Sequence, residues 1–137
     1  MISNSFSAAD GTQIVWRETG QGRPLVLIHG YFSDADTNWI KYGHAALLAG
    51  AGYRVIMPDL RAHGLSGKPH DLALYPKDIL ADDQFALIEH LGLTDFDLCG
   101  YSLGGRTVAR MLARGAKPGR AIISGMGLQG LTSTEKR

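Results

Sequence analysis

Leu25-Val26-Leu27-Ile28 is an unbroken apolar run that stops at His29-Gly30. A strand with one face in water alternates apolar and polar residues. A run without alternation reads as a strand buried on both faces, as in a parallel sheet. Tyr53 to Met57, stopped by Pro58, reads as the next buried strand. Phe96 to Cys99 reads as a short strand and Arg120 to Ser124 as one more apolar strand. Helical segments separate them: Asp36 to Ala49, closed by Gly50 and Gly52; Pro76 to Leu91, with Pro in the first turn and Gly92 after the end; and Leu103 to Ala113, closed by Gly115. Ahead of them, Asp10-Gly11 is a hairpin turn between a strand around Ser3 to Ala8 and another at Thr12 to Thr19. Strand–helix alternation behind a hairpin predicts an α/β fold: a doubly wound, mostly parallel sheet led by an antiparallel hairpin. Ligands bind such sheets beyond the carboxyl ends of the strands. The loops after Ile28, Met57, Cys99 and Ile123 are therefore the places to search.

Composition narrows the function classes. The 137 residues suit one domain, and a formal net charge of +1 gives no reason to expect nucleic acid or an anionic membrane as partner. The single cysteine, Cys99, rules out an internal disulfide framework and suits a reducing compartment. Met1 to Asp10 has neither a basic start nor an apolar core, so no signal peptide is expected. The apolar runs fall far short of the roughly 18 residues a membrane span needs. A cytoplasmic protein is the expectation. No spacing of His, Asp or Glu suggests a metal site, and no nucleotide-binding glycine motif is present, so no cofactor is expected.

The chemistry concentrates at Gly100-Tyr101-Ser102-Leu103-Gly104-Gly105, between a predicted strand and a predicted helix. A chain that reverses from strand to helix in so few residues pushes Ser102 into the cleft on strained backbone. Side chains two positions to either side would collide, which accounts for Gly100 and Gly104. Ser102 also lies at a helix N-terminus, where free N–H groups and the helix dipole face any oxyanion formed there. His29-Gly30-Tyr31-Phe32 is the second signal. Gly30 lets backbone approach a substrate oxygen, so the N–H groups of Phe32 and Leu103 are the candidate oxyanion donors. His29 reads as a structural histidine that bonds loop backbone. Tyr31, Phe32 and Trp39 are candidates for a pocket wall or for the core. Asp78, Asp82 and Asp83 read as a solvated helix face, and Cys99 as a buried, inert thiol.

The third signal is Asp59-Leu60-Arg61-Ala62-His63-Gly64-Leu65-Ser66. The three motifs, in this order, resemble the α/β-hydrolase superfamily, from the first hairpin to about residue 125. Ala62 departs from the family's usual Gly. The resemblance implies that Asp59, Arg61 and His63 support a loop without doing chemistry. The likeness is greatest to monoglyceride-lipase, esterase and haloperoxidase-like branches. Serine at position 102 disfavours the haloalkane dehalogenase and epoxide hydrolase branches, which use Asp there. The implied reaction is acyl transfer from a small-molecule carboxylic ester through Ser102.

In this fold the acid and the histidine follow the serine. No histidine follows Ser102, and no Asp or Glu follows the strand ending at Ser124 until Glu135. The expectation is one incomplete domain over residues 1–137, hairpin through sixth strand, with residues 128–137 as a frayed tail and the family's last strands and lid absent. A piece of a serine hydrolase is the preferred reading. Completion of the sheet by a second chain or copy comes next. A non-catalytic module binding a small ligand is the alternative from another class.

Overall fold

The structure, a computed structural model, describes residues 1–125. The expected frayed tail at residues 128–137 lies outside them. One six-stranded sheet organises the chain: β1 (Ile2–Ser7), β2 (Gln13–Thr19), β3 (Arg23–Ile28), β4 (Tyr53–Pro58), β5 (Asp97–Tyr101) and β6 (Ala121–Ser124). Their spatial order is β1-β2-β4-β3-β5-β6. β1 and β2 form the predicted antiparallel hairpin, and β2 meets β4 antiparallel. β4, β3, β5 and β6 run parallel.

The apolar runs line both faces of the sheet. In β3, Val26 and Ile28 join a core with Leu98 of β5, while Leu25 and Leu27 join a second core with Val55 and Met57 of β4. The first core is covered by α2 (Ile79–Leu91) and α3 (Leu103–Ala113), through Ala81, Leu87, Val108 and Met111. The second is covered by α1 (His44–Gly50) and the segment before it, through Ala45 and Ala35. Successive side chains of one strand therefore enter different cores, and neither face requires polar residues. Each such side chain contributes roughly 1.5–3 kcal/mol when fully buried.

Two helix boundaries differ from expectation. The helix expected over Asp36 to Ala49 is broken into a π-helical turn at Asp36–Ile40 and α1, because Gly43 stands between them at φ 88°. The helix expected from Pro76 starts instead at Ile79, because Asp78 before it takes φ 67°, outside the right-handed helical region. Among the described residues, no helix is long and apolar enough to cross a membrane.

Candidate active site

β3, β4 and β5 deliver the three sequence signals to the same end of the sheet. At the end of β5 the backbone turns sharply. Ser102 takes φ 56° and ψ −114°, and α3 begins at the next residue. A non-glycine residue in this region is held there only when its surroundings over-determine it, and the glycines show how. A Cβ on Gly100 would lie 2.2 Å from the Gly104 carbonyl oxygen, and one on Gly104 would lie 1.9 Å from that of Ile28. The turn is thus closed backbone to backbone, against itself and against β3. Ser102 N–H donates to the Ser124 carbonyl at 2.8 Å, which ties the turn to β6.

The loop after β3 lies directly against this turn. A Cβ on Gly30 would sit 3.4 Å from Ser102 Cβ. Leu103 is the first residue of α3, so its N–H is among those a helix leaves without an internal partner. Phe32 lies two residues past Gly30, at φ 55°. His29 is fully buried. Its Nδ1–H donates to the Gly30 carbonyl at 2.7 Å, and its Nε2 accepts the Leu60 N–H at 2.9 Å. That pairing requires the neutral ring, and burial holds its pKa below the ordinary 6.5. Gly30 N–H donates to Asn38 Oδ1 at 2.8 Å, a partner that the sequence reading missed.

The loop after β4 is built on two buried charges. Asp59 accepts the N–H of Ala35 at 2.8 Å and of Leu65 at 2.9 Å, joining the β3 and β4 loops. Arg61 has no exposed side-chain surface. Its Nε and Nη2 donate to Asp83, each at 2.9 Å; Nη1 donates to the Leu74 carbonyl at 2.7 Å; and both Nη atoms bond Asp10 in the hairpin turn. Five donors have five partners, the full capacity of a guanidinium. Arg61 holds the Asp10 carboxyl down to about 2. Burial pushes the Asp83 carboxyl up against the pull of the same guanidinium. Asp83 is therefore not part of a solvated face. It is 2% exposed, unlike Asp82 one residue before it, because the fork of Arg61 requires a buried carboxylate.

A cleft of about 820 Å³ opens beside Ser102, lined by Leu103, Tyr31, His63, Ile79 and Leu80 among others. His63 is the one histidine among the described residues that lines it, and its Nδ1–H donates to the Arg61 carbonyl at 2.9 Å. Tyr31 belongs to the wall. Phe32 lines a smaller neighbouring depression; the residue is 89% exposed and its ring stands edge-on to Tyr31, 4.1 Å between centroids. Trp39, half-buried, packs against the second core. Cys99 packs against the same core, and burial raises its thiol pKa.

With this geometry in view, comparison with known proteins identifies the class. A family model for the alpha/beta hydrolase fold matches residues 23–129. The chain belongs to that family. It is 38% identical over 124 residues to a non-heme haloperoxidase of Rhodococcus erythropolis, covering 87% of this chain and 42% of the relative. It is 36% identical over 141 residues to the dihydrolipoyllysine-residue acetyltransferase component of an acetoin cleaving system from Pseudomonas putida, covering 93% of this chain and 36% of the relative. An esterase from Exiguobacterium antarcticum superposes with a TM-score of 0.76 at 29% identity, over 87% of this chain and 42% of the esterase. The chain therefore spans about two fifths of the length of these relatives.

Proposed function

We propose that Ser102 is the nucleophile of a hydrolase that cleaves small-molecule carboxylic esters by acyl transfer. The observation that carries this reading is the backbone of Ser102, at φ 56° on the turn into α3 and bordering an 820 Å³ cleft. Ser102 Oγ attacks the ester carbonyl carbon, and the N–H groups of Phe32 and Leu103 take up the charge on its oxygen. The tetrahedral intermediate collapses, the alcohol leaves, and water releases the acid from the acyl-serine. A histidine outside this sequence takes the serine proton and passes it to the leaving alcohol, oriented by an acid also outside it. A continuation of the polypeptide or a second chain supplies both. The supporting facts are that no histidine follows Ser102 and that the relatives extend well beyond the matched region.

The 137-residue chain alone is therefore expected to be a slow acyl acceptor. Incubated with p-nitrophenyl acetate, it gains one acetyl group that peptide mass spectrometry maps to Ser102. The rate climbs with pH, since hydroxide must stand in for the base, and Ser102→Ala lacks the adduct. Absence of acetyl at Ser102 across the alkaline range overturns acyl transfer. Rapid fluorophosphonate labelling of a sample shown by native mass to hold no other chain overturns the need for an outside base.

A further inference from the structure

Gly30 stands between Ser102 and the proposed oxyanion donor Phe32, and both peptide planes flanking it are gripped by side chains. His29 Nδ1–H holds the carbonyl of the plane that follows, at 2.7 Å. Asn38 Oδ1 holds the N–H of the plane that precedes, at 2.8 Å. The identity of the Asn38 atom is settled by chemistry, because a backbone N–H can be taken only by the amide oxygen. The next plane carries the Phe32 N–H. Beyond it, Ser33 N–H closes the turn back onto the Gly30 carbonyl at 3.3 Å. The Phe32 donor is therefore clamped between fixed neighbours, and Asn38 is the one clamp that comes from outside the loop.

Asn38 reaches Gly30 from the π-helical turn Asp36–Ile40. Single π turns shift the side chains around them relative to an α-helix and recur at functional sites. This one is pinned at its entry. Asp34 Oδ1 accepts the Thr37 N–H at 2.7 Å, and the neighbouring Ala35 N–H donates to buried Asp59 at 2.8 Å. At its exit Lys41 N–H donates to the Asp36 carbonyl at 2.7 Å. The turn is thus a fixed mount that holds the Asn38 amide against the Gly30 peptide.

We propose that Asn38 is a positioning residue for the oxyanion hole: its Oδ1 fixes the Gly30 peptide beside Ser102 and so sets the N–H groups of the Tyr31–Phe32 loop that follows it for the ester oxygen. The proposal rests on the acyl-transfer reading of Ser102. It is tested on the 137-residue chain by the rate of Ser102 acetylation over a range of p-nitrophenyl acetate concentrations, with Asn38→Leu, Asn38→Ala and Asn38→Asp beside the parent. A misplaced donor lowers the maximal rate by about 100-fold in the Leu and Ala variants, since 1 Å of misplacement costs on that order. The half-saturating concentration moves less than about twofold, because uniform ground-state binding is untouched. Asn38→Asp, which keeps an oxygen acceptor, recovers at least part of the lost rate. Exchange of the Gly30 amide hydrogen quickens in the Leu and Ala variants and stays slow in the Asp variant. Should Asn38→Leu fail to fold, Asn38→Ala carries the comparison. Parent-like maximal rates in the Leu and Ala variants overturn the positioning role alone. So does a loss that tracks melting temperature with no recovery by Asp. A parent that gains no acetyl at Ser102 overturns the acyl-transfer reading and this role with it.

Discussion

The loops that follow β3 and β4 meet the turn that follows β5 at one cleft, but the two sides are held by different forces. On the β3/β4 side the grip is side chain on backbone. His29, Asp59 and Arg61 are each at most 1% exposed, and each reaches main-chain atoms of another segment or loop. On the β5 side the grip is backbone on backbone, through Gly100 and Gly104, and the Ser102 N–H is held by the Ser124 carbonyl. The first arrangement leaves Tyr31 and Phe32 unconstrained in side-chain identity, at 59% and 89% exposure. The second tolerates no side chain at its glycines. Hydrogen-bond chemistry orients the loop that carries the proposed oxyanion donor Phe32, whereas steric closure presents Ser102.

Breaking the polar side has the largest expected effect. Arg61→Met removes every partner of a guanidinium that ties the hairpin turn, the β4 loop and α2 together. It leaves Asp83 buried with no countercharge, which typically costs about 3–5 kcal/mol. Urea unfolding followed by tryptophan fluorescence measures the loss. Removing the orphaned carboxylate as well, in Arg61→Met with Asp83→Leu, recovers a substantial part, because replacing a whole buried pair by apolar groups is far milder than breaking it. A double variant no better than the single one would show that the frame depends on the bonds to Asp10 and Leu74.

The steric side is tested with a single methyl. Gly104→Ala places a Cβ 1.9 Å from the Ile28 carbonyl oxygen and 2.7 Å from that of His29, both backbone atoms that cannot rotate away. Separating α3 from β3 costs about 3 kcal/mol, the upper end for overpacking. The variant also loses Ser102 acetylation, because the turn has moved. An Ala variant with parent stability and parent acylation would show that the turn at Ser102 is looser than its contacts imply.

Much of this division was legible in the sequence. The unbroken run at residues 25–28 and the apolar segment at 53–57 predicted buried strands, and the alternation of their side chains between two cores is the reason. The glycines flanking Ser102 predicted a turn closed by sterics. The helix boundaries were less legible: Asp78 takes positive φ where it pairs with Arg110 of α3, a partner its local sequence does not reveal, whereas Gly43 is itself a helix-ending residue lying inside the span expected to be helical. Asp83 was misread because helical spacing alone does not reveal a buried guanidinium arriving from the β4 loop. Asn38 was overlooked because its partner is a backbone N–H, which leaves no mark in a pattern of side-chain types. Its place just before Trp39, a residue of the second core, is the only hint the sequence offers.

His29 joins the two sides, since it belongs to the polar frame while its carbonyl packs against Gly104. Its Nε2 must accept the Leu60 N–H, so a protonated ring would lose that bond. Burial depresses the folded pKa below 6.5; His63 pushes in the same direction, while Asp59 and Asp34 pull upward. The unfolded chain therefore takes up the proton first as pH falls. The contribution of His29 to stability is complete above 6.5 and is lost as pH drops from there toward the folded value. Urea midpoints should decline between pH 7.5 and 5.5, with a slope from this one group of at most about 1.4 kcal/mol per pH unit. The carboxylates held low by arginine titrate beneath this window, as Asp10 does at about 2. His29→Asn lowers stability at pH 7.5 but flattens the slope, whereas Gly104→Ala lowers stability and keeps the parent slope. An unchanged slope in His29→Asn would place the proton uptake at another histidine and remove the neutral imidazole from the account of how the β3 and β4 loops are joined.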